Sequence, residues 1–240
     1  ALSNAAFFGA ILFLPLWMQE VLGVSASSSG LAVTPMLLAY TLSSVAGGQL
    51  LGKLRSMRAY AILAGLVAVA GSFLLIRVDR GMGQLPVIIA MVILGVGLGA
   101  NTPTLTIAAQ NSVEGRYIGL ATATNSFFRN LGSALGSAVM GSVFIRGLAA
   151  GLAGIDWGSS PEALRSSLQD PKVLMSPAAL QAIASSVPDG FRQTMARILD
   201  QIAGSLEHGI KAVFVVMAAA AVLGLVPLVL LRGRRARPPA

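Results

Sequence analysis

ATATNSFFRNLGSALGSAVMGSVF, residues 121–144, carries one charge, Arg129, in a stretch otherwise long and apolar enough to cross a bilayer. If this helix enters the membrane near Gly119, at ~1.5 Å per residue the guanidinium sits at roughly half depth. A charge there costs on the order of 2.5–3.5 kcal/mol on insertion scales, so it persists only against protein or water. Asn125 lies one turn earlier on the same face, and Asn130 is adjacent. Beyond the arginine, Gly132 and Gly136, then Ser137 and Gly141, are small residues four apart that let a second helix backbone come close. The stretch reads as a helix joining a packed seam to a polar half, the wall of a cavity in a polyhelical membrane protein.

The rest of the chain agrees with that reading. Of 240 residues 55% are hydrophobic and only 11% charged, and the mean hydropathy is +0.78, outside the range of soluble domains, which carry about 25% charged residues. The net charge of +8 is spread over loops and a short tail rather than over one basic face, which argues against nucleic acid as a partner. With no cysteine and one histidine, His208, disulfides, thiolate sites and thiol nucleophiles are excluded, and no metal or cofactor is expected. No paired acids and no Ser/His dyad lie inside the apolar stretches, so an enzyme is not expected. The chain is apolar from Ala1, without a basic flank or cleavage signal, a pattern expected of a sequence that starts inside a longer polypeptide.

Hydropathy predicts an all-α integral membrane protein with five spans over about 1–21, 29–51, 60–76, 85–111 and 119–145, and a sixth over 209–231. Residues 147–208 are too polar for the bilayer; within them 189–206 is amphipathic, with Phe191, Met195, Ile198, Leu199, Ile202 and Leu206 at helical spacing. A basic tail, 232–240, ends the chain. Pro15 and Pro35 are expected to kink the first two spans, and Gly48 and Gly52, following Ser44 at four-residue intervals, to form a packing face. The fourth span changes midway from aliphatic to GVGLGANTPTLTIAAQN, residues 95–111. There Pro103 cannot donate to the Gly99 carbonyl and Gly95 and Gly99 bare the backbone, so a broken helix facing a cavity is expected, with Asn101, Thr102 and Thr104 as polar partners.

Counting loop cations orients the spans. With a cytoplasmic C-terminus, Lys53, Arg55, Arg58, Arg116 and four tail arginines lie inside, against Arg77 and Arg80 in the short outer connections. Residues 147–208 then lie outside, in a multi-pass protein of the cell (inner) membrane.

FLPLWMQEVLGVSASSSGLAVTP (13–35) and GVGLGANTPTLTIAAQNSVEGRYIGLATATNSFFRNLGSALGSAVMGSVF (95–144), together with the large segment before the last span, resemble the C-terminal half of a major facilitator superfamily transporter, more narrowly of the fourteen-helix drug:proton antiporter family. The likeness covers nearly the whole chain. The loop GQLLGKLRSMR (48–58) departs from the superfamily's cytoplasmic loop signature, with Gly52 where an acid is usual. The resemblance implies export of amphipathic compounds by alternating access coupled to protons, and a second, N-terminal half-bundle that carries the proton-coupling acid. Two rivals remain: a major facilitator transporter of another solute class, or a truncated membrane protein that transports nothing.

Individual residues keep two readings at this stage. Arg129, with Asn125, either binds substrate or ties helix ends together. Phe8 and Phe128, with Phe7, Phe13, Met36 and Phe127, either form an aromatic pocket for lipophilic cations or are ordinary membrane-helix residues. Glu20 is expected as a solvated residue at the outer mouth, Asp79 as a solvated loop charge.

Overall fold

A computed structural model describes residues 1–53, 56–155 and 192–230. Among them there is no strand, and six helices are long and apolar enough to cross a membrane: α1 (Leu2–Leu22), α2 (Ala26–Leu51), α3 (Met57–Ile76), α4 (Gln84–Gln110), α5 (Ile118–Ala153) and α6 (Arg192–Leu230). Local chemistry sets several of their ends. Gly23, at φ 67°, takes the left-handed conformation that closes α1, and the Val24 N–H then donates to the Met18 carbonyl at 3.3 Å. The Ser25 and Ser56 side chains cap α2 and α3, each accepting from the N–H three residues on at 3.2 Å.

The helices pack in an order that the chain does not follow. α4 lies between α2 and α3; α3 also packs on α6, and α6 on α1 and α5. With no hydrophobic drive between helices in lipid, close approach sets these contacts. A side chain at Gly95 or Gly99 would drive into the backbone carbonyl of Met36 or Tyr40, so the α2–α4 contact requires hydrogen at both positions. On α5, Gly132 faces Ala1 and Gly136 faces Ala5, which seats α1. The expected ladder on α2 is displaced by one residue: Gly47 is buried beneath Tyr60, whereas Gly48 only grazes Pro103 at 3.9 Å and Gly52 is the C-terminal cap. Gly141 faces open space.

Two helices run past the expected boundaries. α5 continues to Ala153, and α6 begins at Arg192 rather than at Gly209, so the amphipathic residues from 192 onward are continuous with the last span. At ~1.5 Å per residue these helices are about 54 and 58 Å long, well beyond a hydrocarbon core of about 30 Å. They extend together as an antiparallel pair: Gly147 meets Gly209, and one turn outward Gly151 meets Ser205. Met195, Ile198, Ile202 and Leu206 are buried in the core formed with Leu148 and Leu152. Phe191, the remainder of 156–191, Leu54, Arg55 and the tail from 231 lie outside the described residues.

None of the three prolines breaks its helix. Pro15, Pro35 and Pro103 sit inside unbroken α1, α2 and α4, and the expected discontinuity at 101–104 is absent. Around Pro103 hydroxyls fold back on the backbone, Thr102 Oγ1 donating to the Leu98 carbonyl at 3.1 Å and Thr104 Oγ1 to the Ala100 carbonyl at 3.2 Å. Both bonds fall on the carbonyls flanking that of Gly99, the one Pro103 leaves without its N–H donor, and are the i→i−4 back-bonds that Thr makes inside a helix.

Candidate functional site: a polar seam beside the α4–α5 cavity

The polar residues of α4 and α5 meet along one seam. Gln110 donates to Thr122 Oγ1 at 2.9 Å, and one turn deeper Asn125 donates to Thr106 Oγ1 at 3.1 Å. The next contacts reach α1 and α2. Asn4 Nδ2 donates to the Arg129 carbonyl at 3.3 Å and to Ser133 Oγ at 3.2 Å, while the Tyr40 and Thr102 hydroxyls are 2.9 Å apart. Four helices thus contribute side chains to one line of amides and hydroxyls at span depth, where an unpaired polar group is costly.

Arg129 lies on this face, half-buried, and its guanidinium has no hydrogen-bond or ion-pair partner among the described residues. The backbone there is engaged by Asn4, yet five N–H donors remain available. Beside it, between the end of α4 and the start of α5, opens a cavity of about 590 Å³ lined by Ala109, Val113, Tyr117, Ala121, Asn125 and Phe128, among others. Its size and mixed lining are those of a small-molecule site. Arg129 stands one turn past Asn125, outside the lining itself.

Other expected residues lie elsewhere. Asn101 does not face a cavity: it is buried against α3, where, in the amide orientation that satisfies both groups, its nitrogen donates to the Ala61 carbonyl at 3.2 Å and its oxygen accepts from the Gly65 N–H at 3.1 Å. Thr104, fully buried, is likewise removed from the open face. Thr102 remains on the seam through Tyr40.

The aromatic residues do not form one pocket. Phe7 stacks on Tyr40 with centroids 4.2 Å apart, and Phe8 leans edge-on against Phe7, itself 39% exposed. Phe13 is buried beside Phe144, and Met36 is fully enclosed. Phe127 and Phe128 form a separate exposed pair, of which only Phe128 reaches the cavity. Helical spacing within each span could not have told these groups apart, because the division depends on which helices become neighbours.

Two acids also differ from expectation. Glu20 is not a freely solvated mouth residue: it is half-buried, and its Oε1 is enclosed without a partner, as is the indole nitrogen of Trp17 one turn earlier. Asp79 is ion-paired, its Oδ1 meeting Lys211 Nζ, which also reaches Glu207 Oε1 at 3.1 Å. That triad ties the α3–α4 connection to α6. The signal for it was available, in a lone lysine four residues after a glutamate at the edge of an apolar span.

The sequence pattern that defines the Major Facilitator Superfamily matches residues 1–137. This chain belongs to that superfamily. It is similar to the multidrug transporter protein MdtP of Bacillus subtilis, with 39% identity over 58% of the chain and 26% of MdtP. It is also similar to the multidrug resistance protein 3 of Bacillus subtilis, at 28% over 95% of the chain and 42% of that protein, and to the MFS-type transporter astH of Aspergillus oryzae, at 29% over 85% and 37%. The chain therefore spans well under half the length of these curated relatives. In the superfamily member described here, the matched region carries the α1–α4 core and the seam residues as far as Arg129 and Ser133.

Proposed function

We propose that the chain is the C-terminal half of an efflux transporter for amphipathic, drug-like compounds, of the fourteen-helix drug:proton antiporter type, working by alternating access against a second half-bundle. The observation that carries this reading is the unpaired Arg129 guanidinium on a polar seam next to the 590 Å³ cavity. A transporter needs a hollow at span depth with polar groups that fix orientation and apolar walls that accept a lipophilic body. Asn125 and Phe128 supply one of each to the same hollow.

The need for a partner bundle is supported by what α5 and α2 leave exposed. Only 17% and 22% of their apolar windows are buried, against 56% for α4, and α5 presents Ser126 and Asn130 on its open side. Exposed apolar side chains suit lipid equally well, but exposed amides and hydroxyls at this depth call for water or protein. The names of the relatives, multidrug transporter and multidrug resistance protein, favour drugs as the cargo. Proton coupling and the cytoplasmic C-terminus rest on the family resemblance and on the distribution of loop cations.

In the full-length protein, Arg129→Ala should abolish resistance to lipophilic drugs while membrane abundance is retained, and Arg129→Lys should restore only part of it, since an ammonium lacks the planar fork. Unchanged resistance in Arg129→Ala would remove the guanidinium from the site.

A further inference from the structure

A second hollow, of about 210 Å³, lies on the other side of α4, where α2, α3 and α4 meet. Ala46, Gly47 and Leu50 line it from α2, Tyr60 and Leu63 from α3, and Gly97 from α4. It exists because the residues at this three-helix contact are small: a side chain at Gly97 would strike the Ala68 backbone, and one at Gly47 would strike the Tyr60 hydroxyl. At ~100° per residue, Gly97 and Ala100 lie nearly opposite Thr102 and Thr106 around α4, so this slot opens away from the polar seam. Its rim is apolar and outward-facing, with Leu50 45% and Leu63 62% exposed. On the reading that these helices span a bilayer, the slot faces hydrocarbon, where an unfilled gap forfeits dispersion contacts along its whole lining.

The end of the slot has the opposite chemistry. Tyr60 is in the first turn of α3, half-buried, and its hydroxyl has no hydrogen-bond partner among the described residues. Lys53 follows one turn after Leu50, its N–H bonded to the Leu50 carbonyl at 2.9 Å, and Arg58 precedes Tyr60; both are exposed. Among its described residues the connection carries these two cations and no acid. A carbon-lined slot ending in a free hydroxyl and a cationic loop matches an amphiphile with an anionic head.

We propose that this slot holds an acyl chain of an anionic phospholipid, with its ester region at the Tyr60 hydroxyl and its phosphate at Lys53 and Arg58. The lipid braces α2 against α3 at the point where protein packing leaves a gap. This site is separate from the α4–α5 cavity and does not depend on what that cavity carries.

The test is native mass spectrometry of the purified full-length protein titrated with phosphatidylglycerol or phosphatidylcholine. The parent protein should retain at least one phosphatidylglycerol in preference to phosphatidylcholine by roughly ten- to thirtyfold, the ratio two surface cations confer. Ala46→Phe, which fills the slot from its exposed rim, should hold one fewer phosphatidylglycerol, and Lys53→Gln with Arg58→Gln should erase the preference at that site while lipid is still bound. A thermal melt in detergent confirms that each variant is folded; the charge variants lie on the surface and serve should Ala46→Phe fail to fold. Equal retention of the two lipids by the parent protein, or an unchanged lipid count in folded Ala46→Phe, overturns the proposal. Displacement of the lipid by a lipophilic drug cation would reassign the slot to substrate and overturn it equally.

Discussion

Replacing Asn101 with leucine separates a structural role from a transport role. The Asn101 amide bridges Ala61 and Gly65 of α3 through two hydrogen bonds of 3.2 and 3.1 Å, and both partners stand one helical turn apart, where they also serve each other. Leucine has the same branching and number of side-chain heavy atoms but more bulk, so no cavity opens and any overpacking only adds to the loss; in a membrane it gains little from burial because the lipid alternative is equally apolar. What is lost is two side-chain bonds, at about 0.6 kcal/mol each on average in membrane helices and at most about 1.7, or roughly 1–2 kcal/mol together. At about 2–4 °C per kcal/mol for a chain of this size, that corresponds to a Tm lower by about 2–8 °C, and by less in the larger full-length protein. The assay is thermal unfolding of the full-length protein in detergent, with drug resistance normalised to membrane abundance. The expected result is a lower Tm with resistance per molecule unchanged. An unchanged Tm with resistance lost would refute the assignment of Asn101 to the α3–α4 seam and return it to a substrate site.

Gly136→Val should sharply reduce membrane abundance, because even a Cβ there collides with Ala5, whereas Gly141→Ala, in open space within a helix, should be neutral or stabilising by up to about 1 kcal/mol; abundance and melting of the two variants check both. Lys211→Met breaks the ion pairs with Asp79 and Glu207, but Asp79 is 60% exposed, so the loss should stay under about 1 kcal/mol and fade with added salt. With the proposed orientation, a cysteine replacing Gly81 should react with an impermeant thiol reagent in intact cells, and one replacing Gly115 only after the cells are opened; both positions are unobstructed.

The six spans were legible because length and hydropathy alone mark a bilayer-crossing helix, and the composition left no other class. Faces were harder. Asn101 and Thr102 are adjacent in one polar run, yet a 100° step puts the first into α3 and the second against Tyr40. Hydropathy cannot choose between these directions, because protein and lipid are equally apolar neighbours. The start of α6 was misplaced for a related reason. Gly209, read as an edge, is a contact point at which α6 passes within reach of the Phe144 carbonyl and Leu148, while the buried series Ile198, Ile202 and Leu206 runs on into Ile210 and Phe214 without a change of face. The α2 ladder failed by one residue: three small residues at intervals of four announce a packing face, but Tyr60 selects Gly47. That Arg129 and Asn125 share a face was legible from their four-residue spacing; the structure sets the Arg129 backbone against Asn4 and the Asn125 amide against Thr106, while the guanidinium meets neither.

The most direct measurement is the reactivity of single cysteines, in a chain that has none of its own, placed in the full-length protein in native membranes. Thr124, which lines the α4–α5 cavity, and Leu66, an exposed apolar residue of α3, are the two positions to compare. A wet, substrate-accepting cavity predicts that Thr124→Cys reacts with a small hydrophilic thiol reagent, that transported drug slows the reaction, and that Leu66→Cys stays inert. Equal inertness at both positions would mean that the hollow beside Arg129 is dry, and would contradict the account.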